Sequence, residues 1–571
     1  MALLPFTSAK HCRLSCSLLC GFRQSPTLCR TGLPLPWSCH TAMPRRTLRA
    51  TCSAADSAHK SSANSSGQQQ QKKKQQQEKG QQPQGKQVGG KAGVTPKSED
   101  FSRWFLDVVK FGELADYGPV RGTMVIRPWG YALWEALQQY LDQRFKETGH
   151  SNAYFPMLIP RSFVDKEASH VEGFAPELAI VTQGGGKELE EPLVIRPTSE
   201  TIVNHMFSQW IQGYRDLPLM LNQWANVVRW ELRTRPFLRT SEFLWQEGHC
   251  AFATAEEAEQ EARNMLGIYC DFSTQMAAIP VVAGRKSAAE SFAGAVSTYT
   301  IEAMMSDRRA LQAGTSHNLG QNFAKAFDTT FLNQNGERQY VHQVSFGMST
   351  RMIGGVIGVH GDDNGLQLPP QMAPVQIIFI PILKKGSDEA AVIGAVDRLA
   401  AAAKAAGIRT KVDADQSKSP GFRFNYWELK GVPLRVELGP RDVEQGLCIL
   451  ARRDRPGKEG KNSISMDEKA FVRDVQQALQ DVQACMYEAA LAFREANVVD
   501  VDSYDQLQST IADGKWARGP WAGSSTDEKQ IKDTTSATLR CIPFEQPEGL
   551  PRPCLLTGTS ASEVAIFAKA Y

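Results

Sequence analysis

The chain has 571 residues, 42% of them hydrophobic, and a mean hydropathy of −0.34. That is enough for roughly two to four domains, and no run of about 18 apolar residues is present, so no membrane span is expected. The formal net charge of +3 hides an asymmetry: residues 1–98 carry fifteen Lys/Arg against two acidic residues, a net of +13, which leaves −10 for residues 99–571. A body that acidic can hold a polyanion only through local basic patches.

In chain order, Met1–Ala55 contains no Asp or Glu, seven Lys/Arg and many Ser, Thr, Leu and Pro. That composition predicts an organellar transit peptide; Ser17–Gly21 is too short for a secretory core. Six of the twelve cysteines (Cys12, Cys16, Cys20, Cys29, Cys39 and Cys52) lie here, and the others are scattered without a C-x-x-C pair. This argues against a disulfide framework and for a reducing compartment. Residues 67–92, GQQQQKKKQQQEKGQQPQGKQVGGKA, hold one large apolar side chain, Val88, and cannot bury enough surface to offset chain entropy. A flexible linker over 56–98 is expected, with folding from about Glu99.

Pro128–Lys146 predicts an amphipathic helix, with proline at its first position and Leu133, Leu137 and Leu141 at spacing four. An extended run, Ala153–Pro160, follows. Leu219–Leu232 predicts a strand rich in β-formers, and Ala255–Ile268 an exposed helix. Beyond Pro369-Pro370 the pattern alternates: strand Val375–Ile382, helix Ala390–Ala406, strands Ile408–Val412, Val432–Leu438 and Leu447–Arg452. That alternation predicts an α/β domain with partly parallel pairing. A long helix, Phe471–Ala496, and an α+β piece from about Val499 to Tyr571 complete the chain.

Four clusters are polar where packing does not require it. Arg229 and Glu231 sit two apart on the predicted strand and so should leave one face of a sheet. A structural ion pair is the simplest reading of these two alone. Beside them, however, a Pro-containing loop with Arg233, Arg235 and Arg239 and a returning strand, Thr240–Glu247, form a cationic hairpin suited to a triphosphate or an RNA end. Arg196-Pro197-Thr198-Ser199-Glu200 precedes an apolar helix, with Ser199 or Thr198 as a candidate N-cap. Gln312–His317 reads as a Gly/Thr/Ser loop that carries a lone histidine, and such a histidine can equally be a satisfied core residue. Gly347–Arg351 leads into the Gly-rich, apolar helix Met352–Val359. No Walker loop, GxGxxG turn or HExxH is present, so ATP would bind by another architecture.

Taken together, RPTSE, FLRTSEFLWQEGH, GTSHNLGQNF and HGDDNGLQLPP make residues 99–571 resemble the prolyl-tRNA synthetase family of class II aminoacyl-tRNA synthetases. Helix Pro128–Lys146 with Ala153–Pro160 looks like motif 1, the dimer-forming element; Leu219–His249 looks like motif 2 and Gly347–Gly358 like motif 3. The resemblance implies an α+β catalytic domain over 99–370, built on the class II antiparallel sheet with helices. It also implies an α/β anticodon-binding domain over 371–470 and a small α+β C-terminal domain over 471–571. The implied activity is attachment of L-proline to tRNA-Pro through an ATP-derived prolyl-adenylate, in a homodimer in chloroplast and/or mitochondrion, with Mg²⁺ accompanying ATP. Thr198, Ser199 and Glu200 would hold the proline imino group, with His317 beside it. Arg229 would touch both the proline carboxylate and the ATP α-phosphate, and Glu231 would read the adenine amine. Arg239, Thr240, Gln312, Thr315, Ser349 and Arg351 would line the nucleotide. Arg229, Glu231 and Arg351 would be the catalytic set, with Phe243 and Trp245 as apolar walls. Arg452, Arg453, Arg455, Lys458 and Lys461 form a basic patch for tRNA in the expected anticodon-binding domain; a solvated charged loop is the alternative.

Two departures narrow the expectation. About a hundred residues separate motifs 2 and 3, too few for the inserted editing domain of some relatives. Where relatives hold zinc through four cysteines, this chain reads KWARGPWAGSS, with only Cys541 and Cys554 nearby, so no zinc is expected. The rival readings are a same-subclass synthetase for threonine, histidine or glycine, and a non-catalytic tRNA-binding or regulatory paralogue. The latter would not need the R-x-E pair or Arg351 that this chain keeps.

Overall fold

The structure is a computed structural model that describes residues 93–166, 178–384, 386 and 388–571. The expected transit peptide and the expected linker up to residue 92 lie outside the described residues. Among the described residues no helix is long and apolar enough to cross a membrane.

Helix Pro128–Glu147 forms as its spacing predicts, with proline in the first turn and Arg144 and Lys146 in the last, where they complement the helix dipole. Leu133, Leu137, Leu141 and Phe145 are fully buried on one face. Each contributes about 1.5–3 kcal/mol of transfer free energy. They pack against a sheet of eleven strands. From one edge the order is Val498–Asp500, Trp516–Pro520, Val564–Ala568, Thr538–Pro543, Val281–Arg285, Ser297–Met304, Ala310–Gly320, His342–Ser349, Glu242–Phe252, Leu219–Val228 and Ser151–Asn152. Pairing is antiparallel throughout except at the two edges.

The sheet corrects several expectations. Only Leu158–Pro160 of the extended run 153–160 is a strand, in a separate three-stranded sheet with Lys187–Ile195 and Ala179–Gly184. The strand expected to run to Leu232 ends at Val228, because the Glu231 N–H turns back onto the Arg229 carbonyl at 2.7 Å. Arg229 and Glu231 are therefore not strand neighbours on one face. Residues 312–317 are not a loop but the middle of strand Ala310–Gly320, where ladder hydrogen bonds on both sides override a Gly/Thr/Ser composition. The helix expected to be exposed, Ala255–Asp271, buries Ala258, Ala262, Met265, Leu266 and Tyr269 in the main core.

A five-stranded sheet, ordered Thr410–Val412, Ile377–Pro381, Leu434–Leu438, Leu447–Arg452, Lys461–Ser465, carries the expected mixed pairing: the first three strands are parallel and the last two antiparallel. Helix Glu468–Asn497 packs Phe471, Val475, Leu479 and Val482 into this domain's core. Its first half therefore belongs with the five-stranded sheet and not with the C-terminal residues. Strands Val498–Asp500, Trp516–Pro520, Thr538–Pro543 and Val564–Ala568 are not a separate sheet: Ile542 and Pro543 pair with Arg285 and Gly284, continuing the large one. The seam is locked by a buried cluster. Glu302 accepts from Lys286 Nζ at 2.9 Å, from Arg540 Nη2 at 2.9 Å and from Thr300 Oγ1 at 3.0 Å.

Candidate active site

Alternate residues of a strand share a face, and cross-strand register stacks those faces. Ser349 pairs with Trp245, Gly347 with Glu247 and Ser345 with His249. On the other side Gly347 pairs with Thr315 and Ser345 with His317, and His317 pairs in turn with Thr298. These side chains floor a cavity of about 260 Å³, completed by Thr198, Glu200, Arg229, Phe243, Glu290, Ser291, Phe292, Gln312 and Arg351. Of the residues singled out by the sequence, Thr198, Glu200, Arg229, Gln312, Thr315, His317, Ser349 and Arg351 converge on this one space. The walls Phe243 and Trp245 join them.

Charge is sorted along the floor. At one end, Thr198 Oγ1 donates to Glu200, which begins helix Glu200–Trp210. His317 lies beside it, its Nδ1 3.0 Å from Thr298 Oγ1 and its ring centroid 4.6 Å from that of Phe292. Burial pushes His317 down to about 4, with Glu200 opposing and Arg229 and His249 adding to the shift, so the imidazole is neutral near pH 7. Arg229 acts electrostatically on both His317 and Arg351; it donates from Nε to the Pro197 carbonyl at 3.1 Å, and its guanidinium stands 5.4 Å from the Trp245 ring. Arg351 donates to the Leu238 carbonyl at 3.0 Å. Gly354, one turn on, leaves no room for a Cβ beside the Leu238 side chain. Burial, then the Arg229 and Arg239 cations, push Arg351 down to about 10. Such crowding of guanidinium groups is what a polyanion would relieve.

Other expected residues stand differently. Ser199 occupies the helix N-cap position but makes no capping bond. Its hydroxyl donates instead to Glu247 on the cavity floor at 2.6 Å. Glu231 and Arg239 are paired to each other at 2.8 Å, and Thr240 donates to the Glu242 carbonyl. Arg235 is turned inward, donating to Ser102 at 2.7 Å. In the basic patch, Arg453 is committed to Asp362 (2.8 Å and 2.5 Å) and Arg452 to Asp454 at 2.7 Å, whereas Arg455 and Lys458 are exposed.

Sequence reasoning missed a network anchored in the cavity floor at Glu247 and His249. Glu247 accepts from Ser199, from Gln223 at 2.7 Å and from His249 at 3.0 Å. Burial opposes a charged His249, and the Glu247 contact more than offsets it, holding the ring above its usual value. The signal was available: Trp245, Glu247 and His249 alternate within LWQEGH, which on a strand puts all three on one face. Phe292, Glu290 and Thr298 had no such local signal. Two lining side chains, Trp245 at Nε1 and Ser345 at Oγ, are buried without a hydrogen-bond partner among the described residues, as befits groups that a ligand completes.

Comparison with known families and proteins agrees with this geometry. Residues 181–360 match the tRNA synthetase class II core domain (G, H, P, S and T), residues 376–477 an anticodon binding domain and residues 504–571 the prolyl-tRNA synthetase C-terminal domain. The chain is 61% identical over 479 residues (84% of this chain, 88% of the relative) to an Arabidopsis thaliana protein named proline–tRNA ligase, chloroplastic/mitochondrial. It is 53% identical over 483 residues to proline–tRNA ligase of Roseiflexus castenholzii, 84% of this chain and 100% of the relative. To that of Chloroflexus aurantiacus it is 52% identical over 480 residues, covering 84% of this chain and 99% of the relative.

Proposed function

The chain belongs to the prolyl-tRNA synthetase family of class II aminoacyl-tRNA synthetases, and we propose that both steps of its reaction run in the cavity bounded by Glu200 and Arg351. It is an ATP-dependent ligase that attaches L-proline to tRNA-Pro. A proline carboxylate oxygen attacks the ATP α-phosphorus, the bond to the bridging β-phosphate oxygen breaks, and pyrophosphate leaves. The terminal ribose hydroxyl of the tRNA then attacks the prolyl carbonyl and releases AMP. Mg²⁺ enters as part of the ATP substrate.

The observation that carries this reading is the sorting of charge within one cavity. Glu200 and the neutral His317 suit a secondary ammonium with an apolar ring. Arg229 lies between them and Arg351, placed to hold the proline carboxylate and the α-phosphate together. That placement offsets the repulsion of two anions at no reorganisation cost, and no protein base is required. Glu231 reads the adenine amine once it leaves Arg239; Arg239, Thr240, Gln312, Thr315 and Ser349 line the nucleotide. The direct test is charging of a tRNA-Pro transcript with labelled proline by the purified chain. No charging would contradict the reading.

Several finer features belong to the same proposal. Tyr131, Tyr154, Met157 and Leu158 are exposed along the motif 1 region, an apolar face that suits a second copy of the chain; sedimentation at monomer mass would contradict a homodimer. Residues 1–55 direct the chain to chloroplast and/or mitochondrion, which imaging of residues 1–98 fused to a fluorescent protein tests. Between motifs 2 and 3 the strands Val281–Arg285, Ser297–Met304 and Ala310–Gly320 all belong to the catalytic sheet, leaving no segment for an editing module. Hydrolysis of alanyl-tRNA-Pro by this chain alone would contradict that. The protein works without zinc: Cys541 is buried with Met304 and Trp516, whereas Cys554 packs in another cluster with Trp521 and Leu555. Stoichiometric zinc in elemental analysis would overturn this. For tRNA, the grip falls to Arg455 and Lys458, since Arg452 and Arg453 are held in ion pairs. Arg455→Ala with Lys458→Ala should raise KM for tRNA about tenfold and leave adenylate formation intact; equal loss of both activities would contradict it.

A further inference from the structure

The loop between strands Val281–Arg285 and Ser297–Met304 carries Glu290, Ser291 and Phe292 into the cavity wall. Two of its internal bonds converge on Ser287. The Ser287 carbonyl accepts from Ser291 Oγ at 2.8 Å and from the Glu290 N–H at 3.3 Å. At the tip, the Phe292 N–H donates to Thr298 Oγ1 at 3.0 Å, the same hydroxyl that meets His317. Ser287 is in turn held from outside the loop: its Oγ donates to Glu528 Oε2 at 2.8 Å. Glu528 lies on the C-terminal helix Ser525–Thr535, 241 residues away in sequence. Beside it, Lys286 Nζ donates to the Arg540 carbonyl at 2.7 Å, and Arg285 pairs with Glu563 at 2.8 Å. Three consecutive residues at the root of the loop are thus fastened to the C-terminal residues. The Ser287–Glu528 bond continues through the loop's own hydrogen bonds to Glu290 and Ser291, the two residues before Phe292, while the Lys286 N–H donates to the Thr298 carbonyl at 2.8 Å.

We propose that Glu528 is a positioning residue for proline, holding the Ser287–Phe292 loop against His317 from the C-terminal domain. This rests on the reading of the Glu200–His317 end as the proline pocket. Glu528 touches neither substrate; it sets where the Phe292 ring stands relative to the pyrrolidine, and leaves the nucleotide end at Arg351 untouched. The C-terminal domain is then part of the amino-acid specificity apparatus as well as an extension of the sheet.

The test is steady-state pyrophosphate exchange by the full chain carrying Glu528→Ala, Glu528→Gln, Ser287→Ala or both alanines. The expected result is a KM for proline raised about tenfold in each alanine variant, with KM for ATP, kcat and melting temperature near wild type. The double variant should be no worse than either single, because both remove one bond. Glu528→Gln keeps an acceptor for Ser287 and should stay near wild type. A merely structural role would lower melting temperature and kcat together without moving the proline KM, and that outcome, or an unchanged Glu528→Ala, overturns the proposal. Glu200→Ala reports on the pocket separately. If it leaves the proline KM unchanged, the pocket reading fails and this inference with it; if it raises that KM while Glu528→Ala does not, the positioning role alone fails.

Discussion

Arg229→Ala is expected to lower proline-dependent ATP–pyrophosphate exchange by about a thousandfold, with the fold intact. On the proposed reading Arg229 holds the proline carboxylate and the α-phosphate together, so its loss leaves two anions to approach each other uncompensated. Removing one preorganised charge donor from a closed site costs about 10²–10³ in rate. Lys in its place should recover only part of the activity, because a point charge cannot bridge a carboxylate and a phosphate as a planar fork can. The loss should fall on kcat at saturating proline and ATP. A variant within about threefold of wild type would show that Arg229 is structural after all, held by Pro197 and stacked near Trp245.

The second large effect concerns stability. Glu302 is fully buried between Lys286 and Arg540, at the seam where the C-terminal strands extend the catalytic sheet. Arg540→Met removes one cation and leaves the carboxylate short of a partner it cannot replace with water. Breaking a buried ion pair in this way costs about 3–5 kcal/mol, read in urea or guanidinium unfolding. A loss below about 1 kcal/mol would contradict the account of the seam. The pH dependence has a definite sign. Burial alone would raise the Glu302 pKa, and the Lys286 and Arg540 cations outweigh it, so the folded value lies below the ordinary one. The stabilisation is therefore complete above the unfolded pKa of about 4.3 and is lost as pH falls through the lower folded value. Wild type and Glu302→Gln should converge in stability only in acid.

Much of the cavity was legible because local patterns carried it. Helix Pro128–Glu147 followed from leucine spacing, and the Arg229, His317 and Arg351 segments stood out as polar groups set among glycine, serine and threonine. What composition could not show was pairing. The Gln312–His317 segment looks like a loop on its own, and becomes a strand only because Ser297–Met304 and His342–Ser349 flank it. Arg453 looks like a free cation until Asp362, 91 residues earlier, is placed against it. Ser199 looks like a helix cap until Glu247 takes its hydroxyl. The union of Ile542 with Arg285 has no local signature at all. In each case the deciding partner lies far along the chain, where neither propensity nor periodicity reaches.

The central claim is that one cavity activates proline, and ATP–pyrophosphate exchange by the purified chain tests it most directly, with proline, threonine, histidine and glycine supplied one at a time. The account predicts exchange with proline that depends on both Glu200 and Arg229, and background rates with the other three. Exchange with another of these amino acids in preference to proline, or none with any, would contradict it.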